Sequence, residues 1–207
     1  MSDASWNRIE RWLADHAPKI IGNLNPPASG TELAAAETAL RFSLPPNLRD
    51  LYRRHNGMNC NGNQGSLFFS MHFLTLEELV ENHALTDCDP IPVRAADAGI
   101  NQADILNPKW IPFAHDYGEC RLCIDVAPDT DGTAEQVIFT DQADDTAILV
   151  ARGLEQFLAA FADDLEGANY FLNQEALDDG NHFLACAPAI DIINWVGSPK
   201  WQHLSQY

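Results

Sequence analysis

The stretch that most constrains the fold runs from Trp110 to Val126, Trp-Ile-Pro-Phe-Ala-His-Asp-Tyr-Gly-Glu-Cys-Arg-Leu-Cys-Ile-Asp-Val. Its spacing predicts a strand, a turn and a second strand. Trp110, Ile111, Phe113 and Ala114 form one apolar run, Asp116 to Glu119 carry turn chemistry, and Leu122, Cys123, Ile124 and Val126 form a run dense enough to be buried on both faces. Pro112 has no amide donor, so the first strand is expected at a sheet edge or to start there.

Around this hairpin the chain alternates helical and strand signals. Trp6, Ile9 and Leu13 share a helical face from about Ser5 to His16, with Ser5 or Asp3 as cap and Pro18 beyond the end. Ser29 or Thr31 opens a second helix with Leu33, Ala36 and Leu40 on one face. Pro46 suits the first turn of a third, whose inner face is Leu48, Leu51 and Tyr52, and Gly57 follows it as a left-handed cap. Leu67 to Ser70 reads as a strand. Thr75 and Glu78 form a capping box opening a helix to about Ala84, and residues 87–107 read as irregular. Strands are expected over Gln136–Thr140 and Ala147–Ala151, then an amphipathic helix from Leu154 that stops near Gly167. The remainder, from Ala168, is too apolar for a disordered tail and is expected to pack on the domain or on another subunit.

The chain has 207 residues, 46% hydrophobic, enough for one large domain around a real core. Thirty acids against twelve bases give a net charge of −18. Fifteen of those acids, against only Arg152 and Lys200, lie from Leu122 onward. A field of this sign repels nucleic acid and anionic membrane and attracts basic proteins, although acidity also serves plain solubility. No apolar run is long enough to span a bilayer and no secretory leader pattern stands at the start, while five cysteines are too few and odd in number for a disulfide framework. A cytoplasmic setting follows as the expectation.

His115, Cys120 and Cys123 carry metal-ligand residue types, with Cys60, Cys88 or a distant histidine to complete a set. Alternation along a strand points Cys120 and Cys123 to opposite faces, which disfavours joint chelation and favours small buried hydrophobes. Asp129, Asp131 and Gly132 hint at a calcium loop, but the register places Ala127 and Ile138 where acidic ligands belong. His55 is expected to interact with the end of its helix. No nucleophile elbow and no phosphate loop is present. No catalytic residue, metal or cofactor is therefore expected. The acids on predicted turns, Asp116, Glu119, Asp141, Asp144 and Asp145, form a negative rim around Tyr117 if those turns share one end of the sheet. Such a rim would dock a basic partner, with Tyr117 as aromatic anchor.

Three blocks together carry a family resemblance. They are Leu44-Pro45-Pro46 through His55-Asn56-Gly57; Trp110-Ile111-Pro112-Phe113-Ala114 with Leu122-Cys123-Ile124-Asp125; and Gly132 to Ile138 with Leu154 to Leu158. In that order they resemble the SUKH superfamily, which includes fungal cell-wall-assembly regulators and many bacterial immunity proteins. The resemblance covers residues 1–170 and leaves 171–207 as an apolar C-terminal extension. It implies an α+β fold, a mainly antiparallel or mixed sheet flanked by helices, and action by binding rather than catalysis. From it comes the leading expectation of an immunity protein that occludes the active site of a basic toxin domain such as a nuclease. The alternatives are a regulatory or scaffold protein of the cell-wall type, ranked lower because that branch carries long disordered arms, and, last, a metal-dependent enzyme.

Overall fold

A computed structural model describes residues 3–84 and 89–204. Cys88 lies outside them. The helices are α1 (Asp3–His16), α2 (Pro18–Asn23), α3 (Gly30–Leu40), α4 (Pro46–Arg54), α5 (Leu76–Ala84), α6 (Leu154–Glu166) and α7 (Gln174–Asp178). The strands are β1 (His72–Phe73), β2 (Ala95–Ala96), β3 (Trp110–His115), β4 (Cys120–Asp125), β5 (Gln136–Asp141), β6 (Thr146–Ala151), β7 (Tyr170–Leu172) and β8 (Leu184–Cys186). The first six build one sheet in the order β1-β3-β4-β5-β6-β2, antiparallel except where β2 runs parallel to β6. The fold is α+β with a mixed sheet, as the family resemblance implied.

Local chemistry explains the helix starts. Ser29 accepts from the Glu32 amide and Glu32 reaches back to the Ser29 amide, a reciprocal box that opens α3. Thr75 and Glu78 repeat the arrangement at α5. Pro46 sits in the first turn of α4, where an absent amide costs nothing. Ser5, by contrast, lies buried within α1 rather than before it, and Pro18 begins a short helix of its own.

Two layers of apolar side chains sandwich the sheet. Leu122, Ile124, Val137, Phe139 and Ile148 face the helices, where they join the inner residues of α1, α3, α4, α5 and α6. Trp110, Cys123, Ile138 and Ala147 face the other way and are covered by Val93, Ile100 and Ile105. The irregular segment before β3 is thus the lid of a second core. Burying residues of this size contributes on the order of 1.5–3 kcal/mol each.

Three local expectations fail. Phe68–Ser70 is a tight 3-10 turn, with positive φ at Phe69 (49°) and Ser70 (65°), not a strand. The turn drives the Phe68 ring into the core, 5.1 Å from both Phe157 and Phe161. Aromatic packing overrides strand propensity there. Pro112 stands inside the sheet, but β1 pairs only with Ala114 and His115, so no ladder bond is missing beside it. The register shifts between Pro112 and Ala114, which turns both Phe113 and Ala114 toward the helical core. Gly57 has φ 67°, yet α4 ends at Arg54 with an extended His55. The glycine is required because a Cβ there would stand 2.4 Å from the Thr75 amide nitrogen.

The chain beyond α6 folds onto this body. Tyr170, Leu184, Trp195, Trp201 and Leu204 are buried in the main core, and β7 pairs with β8 in a separate two-stranded sheet. Asn63 ties the two parts together. Its side-chain oxygen accepts from the His182 amide (2.6 Å) and its Nδ2 donates to the His182 carbonyl (3.2 Å). Among the described residues no helix is long and apolar enough to cross a membrane.

Candidate functional site

The register fixes where the acidic turns stand. Cys120 pairs with Asp141, and Asp141 with Thr146, so the β3–β4 turn and the β5–β6 turn occupy the same end of the sheet. The Gln142 amide donates to the Glu119 carbonyl at 3.1 Å and joins them directly. Each turn is shaped by one aspartate. Asp116 Oδ1 accepts from the amides of Gly118 (2.8 Å) and Cys120 (3.1 Å), and Asp141 Oδ1 from those of Ala143 (3.0 Å) and Asp144 (3.3 Å).

The six residues singled out by sequence therefore lie together, but in different states. Tyr117, Glu119 and Asp144 are exposed, and Asp116 and Asp145 are half-buried. Asp141 is buried, its second oxygen accepting from Trp195 Nε1 at 3.0 Å. Tyr117 has φ 65° and is 66% exposed, the most exposed large apolar side chain among the described residues. The left-handed conformation holds its ring over the sheet's edge instead of letting it fold inward.

Sequence reading missed what supports that ring. His72 pairs with His115 across β1 and β3, and the Tyr117 ring packs 4.5 Å from His115 and 5.2 Å from His72. Cys60 Sγ lies 3.8 Å from the tyrosine hydroxyl. Glu78 Oε2 stands 3.2 Å from His72 Nε2. Burial opposes charge on Glu78, but hydrogen bonds from His72 and from Thr75 outweigh it and hold the carboxyl at about 2. Burial, and then the charge of His72, push His115 below its ordinary value. Residues 60, 72, 78 and 117 are too far apart in sequence for any local pattern to show this grouping.

Cys120 and Cys123 do face opposite sides of β4, Cys120 toward the helical core and Cys123 toward the second one. Burial pushes the Cys120 thiol up and the Cys123 thiol to about 12, which disfavours the thiolate a metal needs. Among the described residues no three His, Cys, Asp or Glu side chains are placed to hold a metal ion. His55 caps its helix through its backbone amide, which donates to the Leu51 carbonyl, while its ring turns away to bridge Glu10 Oε1 and the Asn25 carbonyl, both at 2.9 Å, and packs on Trp6.

Known proteins resemble this chain over most of its length. The family model described as "SMI1 / KNR4 family (SUKH-1)" matches residues 27–160. The KNR4/SMI1 homolog 2 of Debaryomyces hansenii is 27% identical over 222 residues, covering 86% of this chain and 38% of its own length. The glucan synthesis regulatory protein of Neurospora crassa is 28% identical, covering 83% and 40%. The cell wall biosynthesis/cell cycle regulator smi1 of Schizosaccharomyces pombe is 28% identical, covering 83% and 37%. The chain thus spans about two fifths of the curated relatives it matches. Their names correct the expectation of a toxin-neutralising immunity protein: the first is named only as a KNR4/SMI1 homolog, and the other two as regulators of glucan synthesis and of cell wall biosynthesis, which matches the regulator alternative. The match over residues 27–160, a span that contains the Leu-Pro-Pro block, the central hairpin and the start of α6, means that this chain belongs to the SMI1/KNR4 family (SUKH-1).

Proposed function

We propose that this chain is a non-catalytic protein-binding module of a regulator of cell-wall assembly, and that it engages a basic partner through the acidic end of its sheet. The observation that carries this reading is the convergence of two acidic turns on one exposed, left-handed tyrosine. Asp116, Glu119, Asp144 and Asp145 supply the charge, and Tyr117 the apolar anchor. Residues 1–170 form the module, and the apolar extension from 171 to 207 stiffens it, with Trp195 bracing the second turn through Asp141. The unpaired cysteines at 60, 120, 123 and 186 support a reducing, cytoplasmic setting.

The test is a domain replacement. The matching region of the S. pombe regulator is exchanged for this chain, and growth is scored on a wall-binding dye. The chain restores growth, whereas the combined Tyr117→Asn, Glu119→Gln and Asp144→Asn variant does not. Asparagine tolerates the left-handed backbone, so the turn survives. Equal rescue by the variant would remove the acidic end from the mechanism. No rescue by the unaltered chain would remove the regulator reading.

A further inference from the structure

A cavity of about 680 Å³ lies at the other end of the sheet. It is a groove between the Leu44-Pro45-Pro46 stretch that opens α4 and the segments where β3 begins, β4 ends and β5 begins. Six-residue strands separate it from the acidic turns by roughly 20 Å. Phe42, Leu44, Pro45, Pro108, Ile111 and Val126 make it apolar.

Its charges run against those of the chain. Arg49, Arg53 and Lys109, three of the twelve Lys and Arg, face it together with Asp50 and Glu135. The lining therefore balances at +1, inside a molecule of −18. The two acids are engaged: Asp50 pairs with Arg53 at 3.1 Å, and Glu135 accepts from Asn47 Nδ2 at 3.2 Å. Arg53 is taken up by Asp50, but the other two bases are less committed. Arg49 meets Glu37 only at 3.5 Å through Nη1, while its buried Nε has no acceptor. Lys109 forms no ion pair among the described residues. A buried donor without an acceptor is a standing cost, so the Arg49 side chain is not fully satisfied by the fold.

We propose that this groove docks an acidic peptide segment of a partner protein, seating an apolar side chain between Phe42 and Ile111 and a carboxylate on Arg49 and Lys109. This surface goes beyond the acidic end and is independent of it. The two together make the module two-ended, able to hold a basic and an acidic partner at once. The other conceivable occupant is a second copy of the chain, inserting its own acidic turns. The −18 carried by each copy opposes that association more strongly than it opposes a short peptide with fewer acids.

The experiment titrates the full chain into a dye-labelled twelve-residue peptide of Glu and Asp around a central Leu-Phe pair, read by fluorescence anisotropy. Saturable binding is expected, weakened about tenfold by Lys109→Glu, by Ala134→Trp at the groove's lip, and by replacing Leu-Phe with Gly-Ser in the peptide. Lys109 and Ala134 are exposed, so both variants keep the fold, which circular dichroism checks. Glu119→Gln with Asp144→Asn leaves the affinity within about twofold, since charges that far away are screened. Absence of saturable binding, or affinity unchanged in Lys109→Glu and Ala134→Trp, overturns the proposal. So does concentration-dependent self-association of the chain that Lys109→Glu abolishes, because the occupant is then a second copy.

Discussion

Asp141 and Trp195, 54 residues apart, form a buried hydrogen bond in which the indole Nε1 donates to the carboxylate at 3.0 Å. The other carboxylate oxygen accepts two amides of its own turn. One side chain thus shapes the β5–β6 turn and anchors the C-terminal segment. Asp141→Ala leaves three donors without their acceptor and is expected to cost about 2–4 kcal/mol. Urea unfolding measures the loss. Limited proteolysis is expected to cut the segment around 187–204 first, and Asp141→Asn, which keeps an acceptor, is expected to resist cutting better.

Gly57 and Thr75 approach so closely that no Cβ fits between them, and the backbone at Gly57 has positive φ. Strain and clash therefore add at one site, and the neighbour is main chain that cannot step aside. Gly57→Ala is expected to lower stability by at least ~3 kcal/mol. Gly62→Ala, also at positive φ but with open space around it, is expected to cost about 1 kcal/mol. Thermal unfolding of the two variants side by side separates clash from strain: equal losses would show that the close approach is unimportant.

Glu78 and His72 set an acid limit. The folded Glu78 carboxyl is held at about 2, below its ordinary 4.5, so its stabilisation is present above the ordinary value. It is lost as the pH falls from about 5 toward 2. The side chain is 35% exposed, and after allowance for solvent screening the contribution is about 1–2 kcal/mol. Glu78→Gln is expected to flatten the stability profile over that window by lowering stability about 1–2 kcal/mol above about pH 5 while changing it little near about pH 2. An unchanged acid limb in the variant would assign the pH response to other carboxylates.

Much of this molecule is legible along the chain because the physics involved is local. The capping boxes at Ser29 and Thr75 act within one helical turn, so residue types three apart identify them. The strands β3 to β6 announce themselves by short apolar runs between turn residues, and consecutive pairing by hairpins then puts the turns at 116–119 and 142–145 at the same end. The failures share the opposite property. Phe68 reads as strand because its neighbours are apolar and β-prone, yet its conformation is decided by Phe157 and Phe161, about ninety residues away. Val93, Ile100 and Ile105 look like loop, lacking a period, and become core because one face of the sheet needs a cover.

Sequence alone determined the order of the main elements and the acidic character of the second half through periodicity, turn chemistry and composition, and the family and class of fold through the resemblance of its motif blocks. Only the tertiary structure decided how those acids are used. It turned Asp141 inward to Trp195, backed Tyr117 with two histidines from different strands, and opened a cationic groove beside the Leu-Pro-Pro stretch. Those outcomes depend on which distant side chains meet and which are left without partners. Burial and pairing across the sheet settle that, and spacing along the chain does not encode it.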